Sequence, residues 1–394
     1  MKALVFGAGK IARGFVAQLL RMNEVDVVFV EKVPQLVEQL NEAGSYEVHI
    51  LGNEALNTRV DGYRAICLDD VDAIAAEMRD ADIAFTSVIG KNLKDVGGVI
   101  GRAYVASGMD RTDAAKLNFV TCENWKHPIQ DLHEGIWGAV PQELHAQLER
   151  DVAVTEAVIM RIAVEPTPEN KAAHPLDVWV QDFWDLPVDG SHYEGTFPTW
   201  EHIHAIEGFG TLLEQKMFTN NTSNAGIAYL GYLLGYEKVA DAARCPEVSA
   251  FLDELYPEIN RILIAGLGVD PAGQEEFSRK AREKYSNPLI VDYVSRQAKD
   301  PIRKLGPEDR LVAPARLGLA QGIEPTCISR VLAAAVYYDM PGDEAAEQLA
   351  ALRAEKGFEG VLREVCQLSE DEPLWGLALA GREWLMQKGW LKDA

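Results

Sequence analysis

The sequence predicts two domains of different class: a parallel α/β domain to about residue 199, then an all-helical domain over residues 200–394. Three observations carry that prediction. Short apolar runs alternate with helical patterns through the first part of the chain. A glycine-rich turn follows the first of those runs. Beyond about Trp200, nearly every segment carries helical spacing, punctuated at GYEK, RCPE, GVDPAGQ, YSNP, KDP and MPGD.

Taken in order, MKALVF is an apolar run of strand length that ends in GAGKIARGF. A helical pattern with Phe15, Val16, Leu19 and Leu20 comes next, then a second run, VDVVFV, closed by Glu31. Pro34 opens a further helix to about Glu42. The segment YEVHILGNEALNTRVDGYRAI alternates with period two and is expected to form strands on an excursion from the main sheet. Strands are expected again at 82–88 and 116–122. Extended patterns follow over 152–162 and 176–184, then a Pro, Gly and His-rich loop from Pro187 to Pro198. No internal repeat, low-complexity tract or long linker interrupts this order.

Composition narrows the function classes. At 394 residues the chain suffices for two domains, and its 47% hydrophobic content is that of a globular protein. Asp and Glu outnumber Lys and Arg by 61 to 38, a net charge of −23, which argues against a nucleic-acid partner. An anionic small molecule needs only a local cationic cluster and stays open. The five cysteines (67, 122, 245, 327 and 366) have no metal-type or C-x-x-C spacing, as expected of a reduced, cytoplasmic protein. No apolar run reaches membrane-spanning length, and the amino terminus enters a strand without room for a signal peptide.

Gly7, Gly9 and Ala12 in GAGKIA fit the fingerprint of a Rossmann-type dinucleotide-binding turn. The first glycine permits the tight turn, and the second lets a pyrophosphate approach the backbone. The small third residue brings helix against strand. Glu31 lies at the end of the second strand, where a carboxylate accepts from adenosine ribose hydroxyls and repels a 2′-phosphate. NAD is therefore expected over NADP, with Lys32 beside Glu31 acting in the opposite sense. Ser87 to Gly90 ends a predicted sheet strand and is expected to line the nicotinamide side.

KMFTNNTSNAGIAYLG, Lys216 to Gly231, sets a lysine and three asparagines at the head of an apolar helix. Buried polar groups are costly without partners, so this end is either half solvated or faces a site. Helical spacing places Asn220 and Ser223 on the Lys216 face better than Asn221.

The stretch GAGKIARGF resembles the G-x-G-x-x-x-R-G-F opening of the polyol-specific long-chain dehydrogenases, the mannitol dehydrogenase family; Arg13 is the arginine of that pattern. TCENW (121–125) resembles the family's C-[DE]-N segment, and KMFTNNTSNAGIAYLG its K-x₄-N-x₂-H stretch. Residues 285–315 resemble its helical-domain signature, nearest to a branch that acts on phosphorylated mannitol. The similarity runs over nearly the whole chain in consistent order.

The resemblance implies a zinc-independent, NAD-dependent enzyme with a catalytic lysine, and a monomer rather than an oligomer. By motif register the lysine is Lys216, with Asn221 and Asn124 as its amide partners. Asn220 remains an alternative to Asn221 by helical spacing. It also fits the K-x-x-x-N pair of the 6-phosphogluconate and β-hydroxyacid dehydrogenases. The family's histidine falls at position 224, where this chain carries Asn224, an amide expected to donate a hydrogen bond but unable to titrate.

Removing a hydroxyl proton as hydride leaves requires a base, and a lysine in a dry pocket near an oxidised nicotinamide has a lowered pKa suited to that task. Amide donors from Asn124 and Asn221 would stabilise the developing alkoxide. In that arrangement Lys216 faces the nicotinamide across the cleft between the domains. His127, His202 and His204 are candidates to replace the missing histidine, each with a surface or structural reading beside it. Arg303, Lys304, Arg310 and Arg316 crowd within fourteen residues. They would suit a phosphate or carboxylate, or form a solvated face paired with Glu308 and Asp309. Arg161 falls where the family carries an arginine after its extended segment, with a structural reading open. Trp179, Trp184 and Trp200 would stack on a sugar or anchor an interface. Acidic clusters such as Asp69 and Asp70 lack histidines at metal spacing, so no metal is expected.

The expected function is interconversion of a sugar alcohol, in phosphorylated form, with its keto sugar, for example mannitol 1-phosphate with fructose 6-phosphate. A sugar-acid (uronate) reductase of the same superfamily is the second expectation. A dinucleotide-binding protein that has lost catalysis is the third.

Overall fold

The computed structural model describes residues 1–112 and 114–391 and divides after Phe209 into two compact units. In the first unit the strands in chain order are β1 (Lys2–Phe6), β2 (Asp26–Glu31), β3 (Ser45–Ile50), β4 (Thr58–Asp61), β5 (Tyr63–Cys67), β6 (Ile83–Thr86), β7 (Leu117–Thr121) and β8 (Val152–Glu156). Six of them form a parallel sheet in the order β5-β2-β1-β6-β7-β8. In β1, Ala3 and Val5 join one buried cluster with Phe15 and Leu19, while Leu4 and Phe6 join another with Ile74 and Ile100. Both faces are covered, so the strand reads as a continuous apolar run. Strand order reverses between β1 and β6, where open parallel sheets leave a crevice at their carboxyl ends.

The segment 46–66 departs from expectation in its last part. β3 and β4 belong to a small four-stranded sheet with Val178–Val180 and Ala163–Val164, as an excursion should. β5 instead joins the main sheet as an edge strand beside β2, with Val27 opposite Tyr63. Gly62, at φ 65°, turns the chain between the two sheets. Period-two alternation marks an extended strand but does not say which sheet an edge strand joins. Ile203–Ile206, expected as helix, is a strand paired in parallel with Leu186–Asp189, whose end occupies the start of the expected loop.

The second unit is helical throughout its described residues. Its centre is the helix Thr222–Leu233, in which every residue from Thr222 to Gly231 is buried. Helices close on it from several sides, so side-chain volume is limited. A Cβ on Gly231 would lie 2.7 Å from the Ala242 methyl, and one on Gly226 3.2 Å from Leu255. A helix buried all round shows no polar stripe, and this one is polar at its amino-terminal end alone. No helix among the described residues is long and apolar enough to cross a membrane.

Candidate active site

The first unit builds its share at the carboxyl ends of β1, β2, β6 and β7. Gly7 leaves β1 with φ 93°, its N–H donating to Val30 O at 2.8 Å. A Cβ at Gly7 would sit 2.4 Å from the carbonyl oxygen of Ser87, so the loops after β1 and β6 touch at glycine distance. Gly9 is different: a Cβ there meets nothing within 4 Å among the described residues. That open space above a helix amino terminus is where a pyrophosphate approaches in such turns. Glu31 closes the loop from β2, its carboxylate accepting from the Ala8 N–H at 2.7 Å and the Val33 N–H at 2.9 Å. These residues fit a dinucleotide.

Two arginines support the turn from behind. Arg13 is 6% exposed, donates to the Ala8 carbonyl and lies 5.9 Å from the Tyr46 ring, whose hydroxyl donates to Arg13 O. Burial lowers its pKa. Arg161 donates to Gly14 O at 2.8 Å and to Gln18, between the rings of Phe15 and Trp184. Burial takes Arg161 down to about 9. Both guanidiniums face protein rather than the loop's open side, which favours the structural reading of Arg161.

After β7 the C-E-N segment places Glu123 inside and Asn124 outside. Glu123 accepts from the Thr86 hydroxyl and the Val88 N–H, each at 2.8 Å, and ties the ends of β6 and β7 together. Burial raises its pKa. Trp125 lies over Gly90, where any Cβ would come 2.2 Å from the indole. Sequence reading missed Glu123; its signal was an acid at a strand end between a buried cysteine and an exposed amide. His127 is exposed with φ 61° just before the helix that starts at Pro128. His204 lies 3.4 Å from Asp185, and His202 3.4 Å from Glu201, on the surface of the first unit. Trp179 stacks on His49 at 4.5 Å, and Trp200 packs on Phe197. Asp70 caps the helix that begins at Val71.

In the second unit Lys216 ends the helix Phe209–Lys216 and is followed by a π-turn, Met217–Asn221. The Thr222 N–H reaches back five residues to Met217 O. Within such a turn the fifth residue onward comes round toward the side where an α-helix would bring the fourth. Asn221, half-buried, thereby joins Lys216, while Asn220 is buried with its carbonyl accepting from the Tyr285 hydroxyl at 3.1 Å. The turn is held by a buried network. Gln274 donates to Thr219 Oγ1 at 3.0 Å and to Asn260 at 2.9 Å, and accepts from Gln215 at 2.9 Å. Thr222 donates to Arg310 O at 2.6 Å.

The electrostatics around this turn are unusual for a lysine. Burial, and after it the charge of Lys284, bring Lys216 down to about 7. Lys284 lies 5.5 Å from the centre of the Tyr285 ring. Burial takes Lys284 to about 8 while Asp292 pulls it back, so Lys216 loses its proton first, beside a neighbour still charged. Lys304, 5% exposed, donates to the carbonyls of Gln297 and Lys299. Burial brings it to about 7, with Arg310 and Arg303 adding to the effect.

Arg303 is paired with Asp300 at 2.8 Å and Asp309 at 3.0 Å, Arg310 with Asp309 at 2.7 Å, and Arg316 with Glu372 at 3.0 Å. Arg303 is thus a neutralised surface group, whereas Arg310 is largely buried beside the turn. Asn224 departs from expectation. Its amide nitrogen donates to Gln297 Oε1, so that donor is spent inside the protein.

Residues 1–202 match a family model described as the mannitol dehydrogenase Rossmann domain, and residues 211–372 one described as the mannitol dehydrogenase C-terminal domain. The chain is 32% identical to a mannitol-1-phosphate 5-dehydrogenase of Brevibacillus brevis over 95% of each chain. It is 32% identical to one of Bacillus subtilis over 96% of this chain and 99% of that one. Among solved structures it resembles a substrate-free D-sorbitol dehydrogenase, with a TM-score of 0.79 at 16% identity over 98% and 93% of the two chains. It also resembles the Pseudomonas fluorescens mannitol 2-dehydrogenase solved with NAD and D-mannitol, with a TM-score of 0.70 at 17% identity over 99% and 92%.

Proposed function

Because the chain belongs to the mannitol dehydrogenase family and is an NAD-dependent polyol dehydrogenase, we propose that it interconverts a phosphorylated sugar alcohol and its keto sugar with Lys216 as the general base. The observation that carries this reading is the pKa of about 7 on Lys216, at a π-turn that also holds Asn221. A base near neutrality is matched to taking the proton of an alcohol at working pH. The relatives named mannitol-1-phosphate 5-dehydrogenase support a phosphorylated substrate. So does the gathering of Lys284, Lys304 and Arg310 around the same turn, which suits a dianion.

Gly7, Gly9, Ala12 and Glu31 would hold NAD, with Arg13 bracing the loop from behind, and Ser87 and Gly90 beside its nicotinamide end. Bound NAD supplies the hydride acceptor. Lys216, neutral above about pH 7, accepts the hydroxyl proton as the C–H bond breaks. Amide N–H groups of Asn221 and Asn124 stabilise charge on the substrate oxygen, an oxyanion-hole role. In the reverse direction protonated Lys216 returns the proton. Burial of the lysine keeps water from competing for it. The five free cysteines agree with work in a reducing cytoplasm, and the enzyme acts as a monomer in this reading.

The test is NADH formation with mannitol 1-phosphate, mannitol and sorbitol, and NADH oxidation with fructose 6-phosphate. Turnover of the phosphorylated pair with little on free polyols is expected. Turnover of free polyols alone would overturn the phosphate reading, and undiminished activity in Lys216→Met would overturn the base.

A further inference from the structure

Asn224 stands on the central helix one turn after Asn221 and is 6% exposed. Its Oδ1 is buried without a hydrogen-bond partner among the described residues. Which of its two amide atoms is left over is decided two residues away. Asp292 is a carboxylate that receives Arg296 through Nε and Nη2, the former at 2.6 Å. It also accepts from Gln297 Nε2. A carboxylate facing an amide in this way takes a donor, so Gln297 must turn its nitrogen to Asp292 and its oxygen to Asn224. Asn224 then has to give its nitrogen to Gln297. The polarity set at Asp292 thus passes through Gln297 and emerges at Asn224 as an acceptor.

We propose that Asn224 Oδ1 accepts a hydrogen bond from a substrate hydroxyl other than the one oxidised, making the Asn224–Gln297–Asp292 chain a specificity device that selects a hydroxyl donor at one carbon. This rests on the functional reading above. A buried acceptor without a partner is costly to the free protein, and a donor brought by the substrate removes that cost. Carbon positions bearing hydrogen, fluorine or a carbonyl offer no such donor, so discrimination against them is built in. Gln297 and Asp292 are positioning residues in this scheme, since they act only through Asn224.

The experiment uses the full-length protein with saturating NAD and a set of mannitol 1-phosphate analogues, each with one non-reacting hydroxyl replaced by fluorine. Turnover is measured with the active enzyme, and binding of the same compounds by calorimetry with Lys216→Met. For one analogue a loss of about tenfold or more in kcat/KM and in affinity is expected. Asn224→Ala should weaken the parent by a similar factor and lose the discrimination against that analogue. Asp292→Asn releases Gln297 to reverse, so the discrimination narrows through KM with kcat little changed, while Asp292→Glu retains it. Equal losses across parent and all analogues in Asn224→Ala would overturn the inference and leave the functional reading standing. Discriminating binding without turnover would sustain the inference and overturn the reading. An absence of both binding and turnover would sink the two together.

Discussion

Tyr285 donates its hydroxyl to the carbonyl oxygen of Asn220 at 3.1 Å, tying the helix Pro271–Ser286 to the π-turn that follows Lys216. A π-turn leaves its carbonyls poorly served by the helix itself, and a buried tyrosine supplies one of the missing donors. The same helix carries Lys284, so the clamp sets both the shape of the turn and its charge.

Tyr285→Phe removes the clamp and keeps the ring. Stability is expected to fall by about 1 kcal/mol, the worth of one buried hydrogen bond. Turnover should fall further than that loss of stability alone explains, because Lys216 and Asn221 lose their fixed relation. Chemical denaturation beside steady-state kinetics checks this, and an unchanged kcat would show that the turn holds its shape without Tyr285.

Lys216→Met should abolish turnover with NAD affinity preserved, and its effect on stability has a definite pH dependence. The folded pKa of about 7 lies below the unfolded value of 10.5, so the unfolded chain holds the extra proton between them. The cost of burying this lysine is therefore full below about pH 7 and vanishes as pH rises toward 10.5. Met removes that cost. The variant should be more stable than wild type at pH 6 by on the order of 2–4 kcal/mol, and equal to it near pH 10. Denaturation at the two pH values decides it.

For alcohol oxidation kcat/KM should rise with pH through about 7 as Lys216 becomes neutral. Lys284→Met takes away a neighbouring positive charge that favours the neutral form, so the rise should move up by roughly half a pH unit or more. Lys284→Arg should leave it near the wild-type position. A midpoint indifferent to the charge at 284 would contradict the arrangement.

The two loop glycines should separate folding from binding. Gly7→Ala drives a methyl to 2.4 Å from Ser87 O at φ 93°, and loses ~2 kcal/mol or more of stability. Gly9→Ala meets nothing within 4 Å, so it should fold with near-native stability and lose about tenfold in NAD affinity. Thermal melts and NADH fluorescence titration tell them apart. Tight NAD binding by Gly9→Ala would place the pyrophosphate elsewhere.

The parallel strands were legible because both faces of β1, β2, β6 and β7 are buried, and only an uninterrupted apolar run satisfies that. β5 and the strand Ile203–Ile206 were misplaced because an edge strand's partner is chosen by tertiary packing. Lys216 and the glycine turn stood out as motifs. The choice between Asn220 and Asn221 stayed open, since a regular helix was assumed where the structure has a π-turn. Asn224 was read as a donor because nothing nearby in the chain reveals its dependence on Gln297, seventy-three positions away. Glu123 went unassigned because its partners, Thr86 and Val88, come from another strand end.

The π-turn also carries a consequence for how this helix can vary. An uninterrupted α-helix turns by about 100° per residue, so deleting one residue between Lys216 and Thr222 would restore regular geometry and rotate everything beyond it by that angle. The backbone hydrogen bonds would improve while Asn221 and Asn224 swung out of phase with the lysine. Side-chain substitutions within the segment are therefore tolerable in ways that changes of length are not: its rotational phase, one surplus residue in five, is itself a functional property of the chain.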